Sequence, residues 1–453
     1  MKIAIVGTGY VGLVTGVCLA ERGHDIVCVD KDETRVRSIL EGVPPFHEDG
    51  LPEALKAVLS SGKLVTTTDC REALRDADIS MIAVGTPSHD DKIDTSFVEA
   101  AAAEIGRSLD VVAPGHTIVV KSTVVPATTD TLVRRALEAA SGKTAGRDFG
   151  LAMTPEFLRE GTAMRDCREP DRIVIGAIDE RTALSVRTMY EPLPCPVQIT
   201  SLRNAEMIKY VANSLLALLV SFSNEISAVC ERVEDIDEPT VMQGVRLDRR
   251  LRADRDGVVG HPPIVDYLRG GIGFGGSCLP KDVTALRHFA RSLGAPMPML
   301  DATLAVNRER PAQVVALLKR ELGDLKGLTI AILGLAFKPE TDDLRASPAI
   351  ALAQALREHG ATLQAFDPIV RRVDSLDGLA VGNDLAASLT GADAAIITMA
   401  WAKFRTYDWL SLTARMRRPV ILDGRNVLDR LPLPGIRRLM IGQLPPSGDL
   451  SPC

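Results

Sequence analysis

KIAIVGTGYVGLVTGVCLAERGHDIVCVD, residues 2–30, sets out in order a short apolar strand, a glycine-rich turn, a helical stretch, a second apolar strand and an acid. Residues 2–6 read as the first strand, the helical pattern runs through Ala20, and the second strand, Asp25–Val29, ends at Asp30. This order predicts a βαβ dinucleotide-binding unit. In it Gly7 makes the turn, Gly9 admits a pyrophosphate close to the backbone, and Gly12 lets helix and strand approach. G-x-G-x-x-G alone is a weak signal; its place after the first strand, with an acid about 20 residues further on, gives it weight. Asp30 is expected to hydrogen-bond ribose hydroxyls and to repel a 2′-phosphate, which favours NAD over NADP.

Working outward, apolar strands are expected at Ile79–Val84, Thr117–Val120 and Phe149–Met153, alternating with helical stretches such as Phe97–Leu109. The alternation predicts a parallel sheet continuing to about residue 200. Each strand ends in a polar group: VGTP at 84–87, KST at 121–123 and TPEFLRE at 154–160. Ligands of such sheets bind beyond the carboxyl ends of the strands, so Thr86, Thr123 and Glu156 point to one crevice. Pro155 reads as a helix start, with Glu156 near the positive end of the helix dipole. Two solvated helical carboxylates, Glu156 and Glu160, are the alternative.

From Asn204 to about Val233 there is no proline or glycine, and apolar residues recur at helical spacing, so one long central helix is expected. Lys209 and Asn213, at i and i+4, share a face of it, for which a solvated face is the ordinary explanation. A second α/β region starts with a strand at Leu328–Leu333, followed by a helix over Ala349–Glu358 and a strand Thr362–Phe366 ending at Asp367. Strands at Ala394–Thr398 and Pro419–Leu422 follow. GLAF replaces the glycine fingerprint there, so this region is expected to hold something other than a dinucleotide. The fold class is therefore α/β, with two Rossmann-like doubly wound domains joined by a long central helix. The Pro- and Gly-rich stretch Leu444–Cys453 reads as a poorly ordered terminus.

Composition narrows the function. A chain of 453 residues with 46% hydrophobic and 25% charged residues fits a multidomain globular enzyme. A net charge of −6 and 4% aromatic residues argue against a nucleic-acid surface. The longest apolar run, Tyr210–Phe222, is interrupted by Asn213 and Ser214 and reads as too short to span a bilayer. Eight cysteines form no C-x-x-C pair and have no histidine at zinc-ligand spacing, so no metal site is expected. The N-terminus runs straight into a strand without the regions of a signal peptide, so a cytoplasmic location with reduced thiols is expected.

GIGFGGSCLPKD, residues 271–282, sets Cys278 in a glycine-rich approach just ahead of a helix start. Glycines open the backbone to a ligand, and a helix N-terminus or a cation such as Lys281 favours a thiolate. A buried structural cysteine is the alternative.

Together with GTGYVG at 7–12, VGTP at 84–87, KSTVVPATT at 121–129, TPEFLREG at 154–161, AEMIKYVAN at 205–213, FKPETDDLRASP at 337–348 and DGRN at 423–426, this segment resembles the UDP-glucose/GDP-mannose dehydrogenase family across nearly the whole chain. The resemblance implies a nucleotide-sugar 6-dehydrogenase that oxidises a C6 alcohol to a carboxylate with two NAD+. It implies an NAD-binding Rossmann domain over 1–201, a central helical dimerisation domain with the cysteine segment over 202–318, and a nucleotide-sugar-binding Rossmann-like domain over 319–453. A homodimer is expected, because the long helix resembles the family's dimer core.

By the same resemblance, Cys278 adds to the aldehyde, and the resulting thiohemiacetal is oxidised to a thioester that water hydrolyses. Lys209 and Asn213 stabilise developing oxyanions, Asp282 assists water or proton transfer, and Glu156 with Thr123 organises the attacking water. Gly7, Gly9, Tyr10, Val11, Gly12, Asp30, Arg35, Thr86, Thr123, Glu160 and Arg345 are expected on the cofactor side. Glu156, Phe157, Leu158, Lys209, Asn213, Arg250, Tyr267, Gly273, Phe274, Lys338 and Arg425 are expected on the substrate side.

Three departures from the family pattern stand out: Ala127 replaces a usual glycine, Thr154 a common asparagine and Leu219 a frequent basic residue. In addition, 247–268 carries an insertion of about a dozen residues, which leaves the assignment of Arg250 and the nucleotide base open. UDP-glucose leads as substrate; dTDP-glucose and GDP-mannose remain, as do a two-electron hydroxyacid dehydrogenase and a non-catalytic nucleotide-sugar sensor.

Overall fold

The structure is a computed structural model and describes residues 1–89, 91–192, 195–255, 258–428 and 431–444. It divides into two compact units, 1–212 and 213–453. The expected terminal stretch beyond Leu444 lies outside the described residues, Cys453 included.

In the first unit eight strands form one sheet: β1 (Lys2–Val6), β2 (Asp25–Val29), β3 (Leu64–Thr67), β4 (Ile79–Ile82), β5 (Thr117–Val120), β6 (Gly150–Met153), β7 (Ile173–Ala177) and β8 (Val197–Thr200). Their order is β8-β7-β6-β5-β4-β1-β2-β3. Side chains alternate across β1. Ile3 and Ile5 enter a core with Leu13, Val14 and Val17 of helix Tyr10–Glu21, while Ala4 and Val6 face Val98, Ala102 and Ile105 of helix Ser96–Arg107. Burial on both faces explains why these strands are continuous apolar runs. The expectation of an uninterrupted parallel sheet fails at one place: β7 runs antiparallel to β6, and β8 then pairs parallel with β7.

In the second unit β9 (Thr329–Leu333), β10 (Thr362–Phe366), β11 (Val381–Gly382), β12 (Ala394–Ile397), β13 (Val420–Asp423) and β14 (Arg437–Met440) form a parallel sheet in the order β11-β10-β9-β12-β13-β14. The order reverses between β9 and β12, the switch point of a doubly wound sheet. Helices Glu238–Arg246, Leu279–Ser292 and Pro298–Leu322 precede it.

One helix, Leu202–Cys230, spans the boundary of the two units and carries Lys209 and Asn213 one turn apart. By length and composition it could cross a membrane, which corrects the reading of its apolar run as too short. Two of its buried polar side chains are nevertheless bonded to other elements of the protein. The Ser221 hydroxyl donates to the Thr303 carbonyl at 2.7 Å, and Asn224 Oδ1 accepts the Gly271 N–H at 2.8 Å.

Candidate active site

The glycine turn behaves as its spacing predicts. Gly7 has φ +102°, and a Cβ on Gly12 would stand 1.9 Å from the Gly7 carbonyl oxygen. A Cβ on Gly9 would meet nothing within 4 Å, so the backbone there is open to a ligand. Gly9 caps helix Tyr10–Glu21 without a side-chain hydrogen bond, and Val11 lies in the first turn. That leaves the helix N–H groups available to a pyrophosphate.

At the end of β2, buried Asp30 takes the Thr8 N–H at 3.0 Å and the Thr8 hydroxyl at 2.7 Å on Oδ2, and the Asp32 N–H at 3.1 Å on Oδ1. Arg35 Nη1 stands 3.1 Å from Oδ2. Burial works against ionisation, but the Thr8 bonds, the Asp32 N–H and the Arg35 charge together hold the carboxyl below its ordinary range. These residues fit NAD: an open, uncapped helix N-terminus and a fixed carboxylate beyond the second strand. Thr86 follows β4 and Thr123 follows β5, both half-buried.

The TPEFLRE segment departs from expectation. Residues 154–159 form an irregular loop, and the next helix, Ala163–Arg168, begins well after Pro155, so no helix dipole supports Glu156. A buried residue far away in sequence anchors the turn that follows this loop. Glu48 accepts the Gly161 and Ala163 N–H groups, each at 2.6 Å, and the Tyr10 hydroxyl, which draws the loop onto the glycine turn.

Glu156 is not solvated either. Its Oε1 lies 2.8 Å from Lys209 Nζ with both side chains almost fully buried, and its Oε2 accepts the Leu158 N–H at 2.7 Å. Burial disfavours the charged form, yet the Lys209 ammonium and its hydrogen bond, the Leu158 N–H and Lys121 pull the Glu156 carboxyl below its usual range. The Phe157 ring lies under Arg172 at 3.8 Å and Lys209 at 5.5 Å, and Glu160 is half-buried.

The loop carrying Thr123 has its own buried anchor. Glu206 accepts the Ala127 and Thr129 N–H groups, each at 2.7 Å, and burial pushes its carboxyl up to about 7. Ala127, noted above for replacing a glycine, holds φ +75°, the left-handed region that glycine adopts without strain. A π-helical turn, Thr128–Val133, follows it.

In the second unit Cys278 caps helix Leu279–Ser292, half-buried, with its Sγ 3.5 Å from Ser277 Oγ. Asp282, in the first turn and 1% exposed, is bracketed by Asn213 Nδ2 at 2.6 Å and Lys281 Nζ at 2.7 Å. The Lys281 charge expected to favour the thiolate is thus engaged by a carboxylate. A Cβ on Gly275 would stand 2.1 Å from the Ala346 carbonyl oxygen, and Gly273 and Gly276 have φ +110° and +88°. Each of these glycines is required by the path of the loop.

The loop is fixed by three side chains, of which Asn224 and Arg310 are buried and Asn307 is half-buried. Asn307 exchanges hydrogen bonds with the Phe274 backbone at 2.8 and 3.0 Å, and Asn224 accepts from Gly271. Fully buried Arg310 donates to the Gly271 carbonyl at 2.7 Å and pairs with Glu231 at 2.8 Å.

The remaining expected substrate residues, and Arg345 from the cofactor side, divide between the cysteine loop and the inserted region. Arg425 lies against Gly271, donates to the Thr398 carbonyl at 3.0 Å, and is lowered to about 10 by burial. Lys338 sits over the Phe337 ring at 5.3 Å, and Phe337 closes on Gly276. Arg345 pairs with Asp343 at 2.7 Å while its carbonyl accepts the Gly276 N–H. Arg250 is exposed and paired with Asp248 at 2.5 Å; Tyr267 ends a short 3-10 turn, Pro263–Tyr267. The insertion contains a two-stranded hairpin, Ala253–Arg255 with Val258–Gly260.

The sequence reading overlooked Glu48, Glu206, Asn224, Asn307 and Arg310. Glu206 stood inside a quoted motif; the others carry no local signal.

The chain matches one family in three consecutive parts. The NAD binding domain of the UDP-glucose/GDP-mannose dehydrogenase family covers residues 1–194, the central domain 203–309 and the UDP binding domain 331–430. The UDP-glucose 6-dehydrogenase TuaD of Bacillus subtilis is 39% identical over 431 residues, 94% of this chain and 89% of that protein. The GDP-mannose 6-dehydrogenase of Pseudomonas savastanoi pv. phaseolicola is 42% identical over 368 residues, 81% of each. Among solved structures, a UDP-glucose dehydrogenase from the archaeon Pyrobaculum islandicum matches with a TM-score of 0.87 at 38% identity, covering 97% of both chains.

Fold, glycine turn and relatives define an NAD-dependent nucleotide-sugar dehydrogenase. The chain belongs to the UDP-glucose/GDP-mannose dehydrogenase family.

Proposed function

We propose that this chain oxidises the C6 alcohol of UDP-glucose to UDP-glucuronate in two successive two-electron steps. The observation that carries the reading is Cys278, a half-buried thiol at a helix N-cap, four residues before a buried carboxylate held by Asn213 and Lys281. NAD, when bound at Gly7–Gly12 and Asp30, accepts the hydride released in each oxidation.

The first oxidation requires loss of the C6 hydroxyl proton and leaves an aldehyde, which has no second hydride to give until a nucleophile adds. The Cys278 sulfur adds to that carbon, and the Lys209 ammonium and Asn213 amide stabilise the oxyanion. Loss of the second hydride leaves a thioester. Glu156, kept ionised by Lys209, accepts a hydrogen bond from the attacking water together with Thr123, and Asp282 assists proton transfer. Hydrolysis returns the thiol and releases the carboxylate.

The match of residues 331–430 to a UDP binding domain, and a TM-score of 0.87 to a UDP-glucose dehydrogenase against 0.55 to a GDP-mannose dehydrogenase, support uridine as the base. Lys338, Arg425, Phe274 and Gly273 are assigned to the sugar nucleotide, with Tyr267 and Arg250 from the inserted region. Glu160 and Arg345 are assigned to the cofactor side. The functional division follows 1–201, 202–318 and 319–453.

A homodimer suits helix Leu202–Cys230, whose Val211, Leu215, Phe222 and Val229 expose an apolar stripe at about half their area. A cytoplasmic setting suits the free thiols of the described cysteines.

The deciding assay supplies NAD+ with UDP-, dTDP- and GDP-sugars and counts NADH formed per sugar consumed. Two NADH per UDP-glucose is expected; one NADH, or preference for another nucleotide, rejects the assignment. Cys278→Ser is expected to slow completion strongly or to trap an ester. Wild-type rate and stoichiometry in that variant would sink the thiohemiacetal route.

A further inference from the structure

Helices Tyr10–Glu21 and Ala163–Arg168 pack together in the first unit, and each brings a cysteine to the contact. Cys18 is 1% exposed, whereas Cys167 is half-buried. Both line a cavity of about 70 Å³ whose wall also includes Arg22, Lys121 and, from the candidate active site, Glu156, Phe157 and Leu158. The two thiols are near enough to influence each other's ionisation. That proximity lowers the Cys167 thiol, with the Lys121 and Arg22 charges adding to it against burial; it raises the Cys18 thiol, as burial does. The pair thus sets a half-buried cysteine, with Arg22 and Lys121 on the same cavity wall, beside a fully sheltered one, the arrangement a reversible sulfur oxidation needs.

We propose that Cys18 and Cys167 form an oxidative modification site that reduces a hydroperoxide and closes a disulfide between the two helices. The Cys167 thiolate attacks the peroxide, breaking the O–O bond to give a sulfenic acid and releasing hydroxide, or the corresponding alkoxide. The Cys18 sulfur then displaces the sulfenic oxygen, and its proton leaves in water. For hydrogen peroxide, two thiols and one peroxide become one disulfide and two waters. The site is separate from Cys278 in sequence and in chemistry, and the proposal does not depend on the substrate assigned above.

The test treats full-length Cys278→Ser protein with hydrogen peroxide, blocks remaining thiols after unfolding, and maps peptides without reduction. The expected product links residues 18 and 167 and is reversed by dithiothreitol. In Cys18→Ser the expected species is a Cys167 sulfenic acid captured by dimedone; in Cys167→Ser, Cys18 remains a thiol. The proposal is overturned if both residues remain alkylatable, if Cys167 advances to sulfinic acid with Cys18 present, or if Cys167 is joined to Cys195 instead.

Discussion

Replacing Lys209 with methionine removes the cation from a pair in which neither partner is more than 7% exposed, and leaves the Glu156 carboxylate in a buried site. Breaking such a pair from one side costs about 3–5 kcal/mol, because the remaining charge is uncompensated. The Leu158 N–H stays on Oε2 and Lys121 still acts at a distance, which places the expected cost toward the lower end, about 3 kcal/mol at pH 8.

The cost has a definite pH sign. In the native protein the folded carboxyl lies below its unfolded value, so the pair contributes stability above about pH 4.5 and loses it as pH falls through the depressed value. Without Lys209, burial dominates and the folded value rises above the unfolded one. The variant's deficit then grows with pH by up to about 1.4 kcal/mol per unit, and is smaller at pH 5 than at pH 8.

Both tryptophans, Trp401 and Trp409, belong to the second unit, so fluorescence is blind to this region. Hydrogen exchange of segments within residues 1–212, in urea at pH 5 and pH 8, reads the opening free energy where the pair sits. Glu156→Gln added to Lys209→Met should restore most of the loss. A cost under about 1 kcal/mol at pH 8, equal costs at both pH values, or no recovery in the double variant would refute the reasoning.

Ala127→Gly should relieve a left-handed conformation worth about 1–2 kcal/mol, offset by about 0.4–1 kcal/mol of unfolded-chain entropy. A modest rise in urea midpoint is expected, and a fall would contradict the strain. Glu206 carries a folded pKa raised to about 7, so its contribution to stability should decline as pH rises from about 4.5 toward 7 and level off above. Glu206→Gln should abolish that slope, although its amide can accept only one of the two N–H groups now bound; an unchanged slope between pH 5 and 8 would show that another group titrates.

What local pattern governs was legible in the sequence. Gly7, Gly9 and Gly12, the helix start after Cys278 and the helix bearing Lys209 and Asn213 each follow from spacing over a few residues. Contacts that local pattern does not encode were missed. TPEFLRE carries a proline and acids that suit a helix start, but the helix begins only at Ala163, where Glu48 captures the Gly161 and Ala163 N–H groups. The reversed strand Ile173–Ala177 is as apolar as its parallel neighbours, and strand direction leaves no mark on composition. Arg310 and Glu231 look like surface charges until their burial is known, since each satisfies the other and a loop remote from both in sequence. Assignment of Lys209 and Glu156 to one centre rested on resemblance; their 2.8 Å pairing supplies a physical reason for their joint presence.

The Glu48 carboxylate, shared by Tyr10, Gly161 and Ala163, makes two remote segments one mutational unit. A substitution in the nucleotide turn alters the background against which changes in the later loop are tolerated, and the reverse, since residues with a common partner do not vary additively. Transplanting either segment alone from a relative would therefore orphan buried donors or the acid itself. The smallest exchangeable part of this enzyme is the turn, the acid and the loop together.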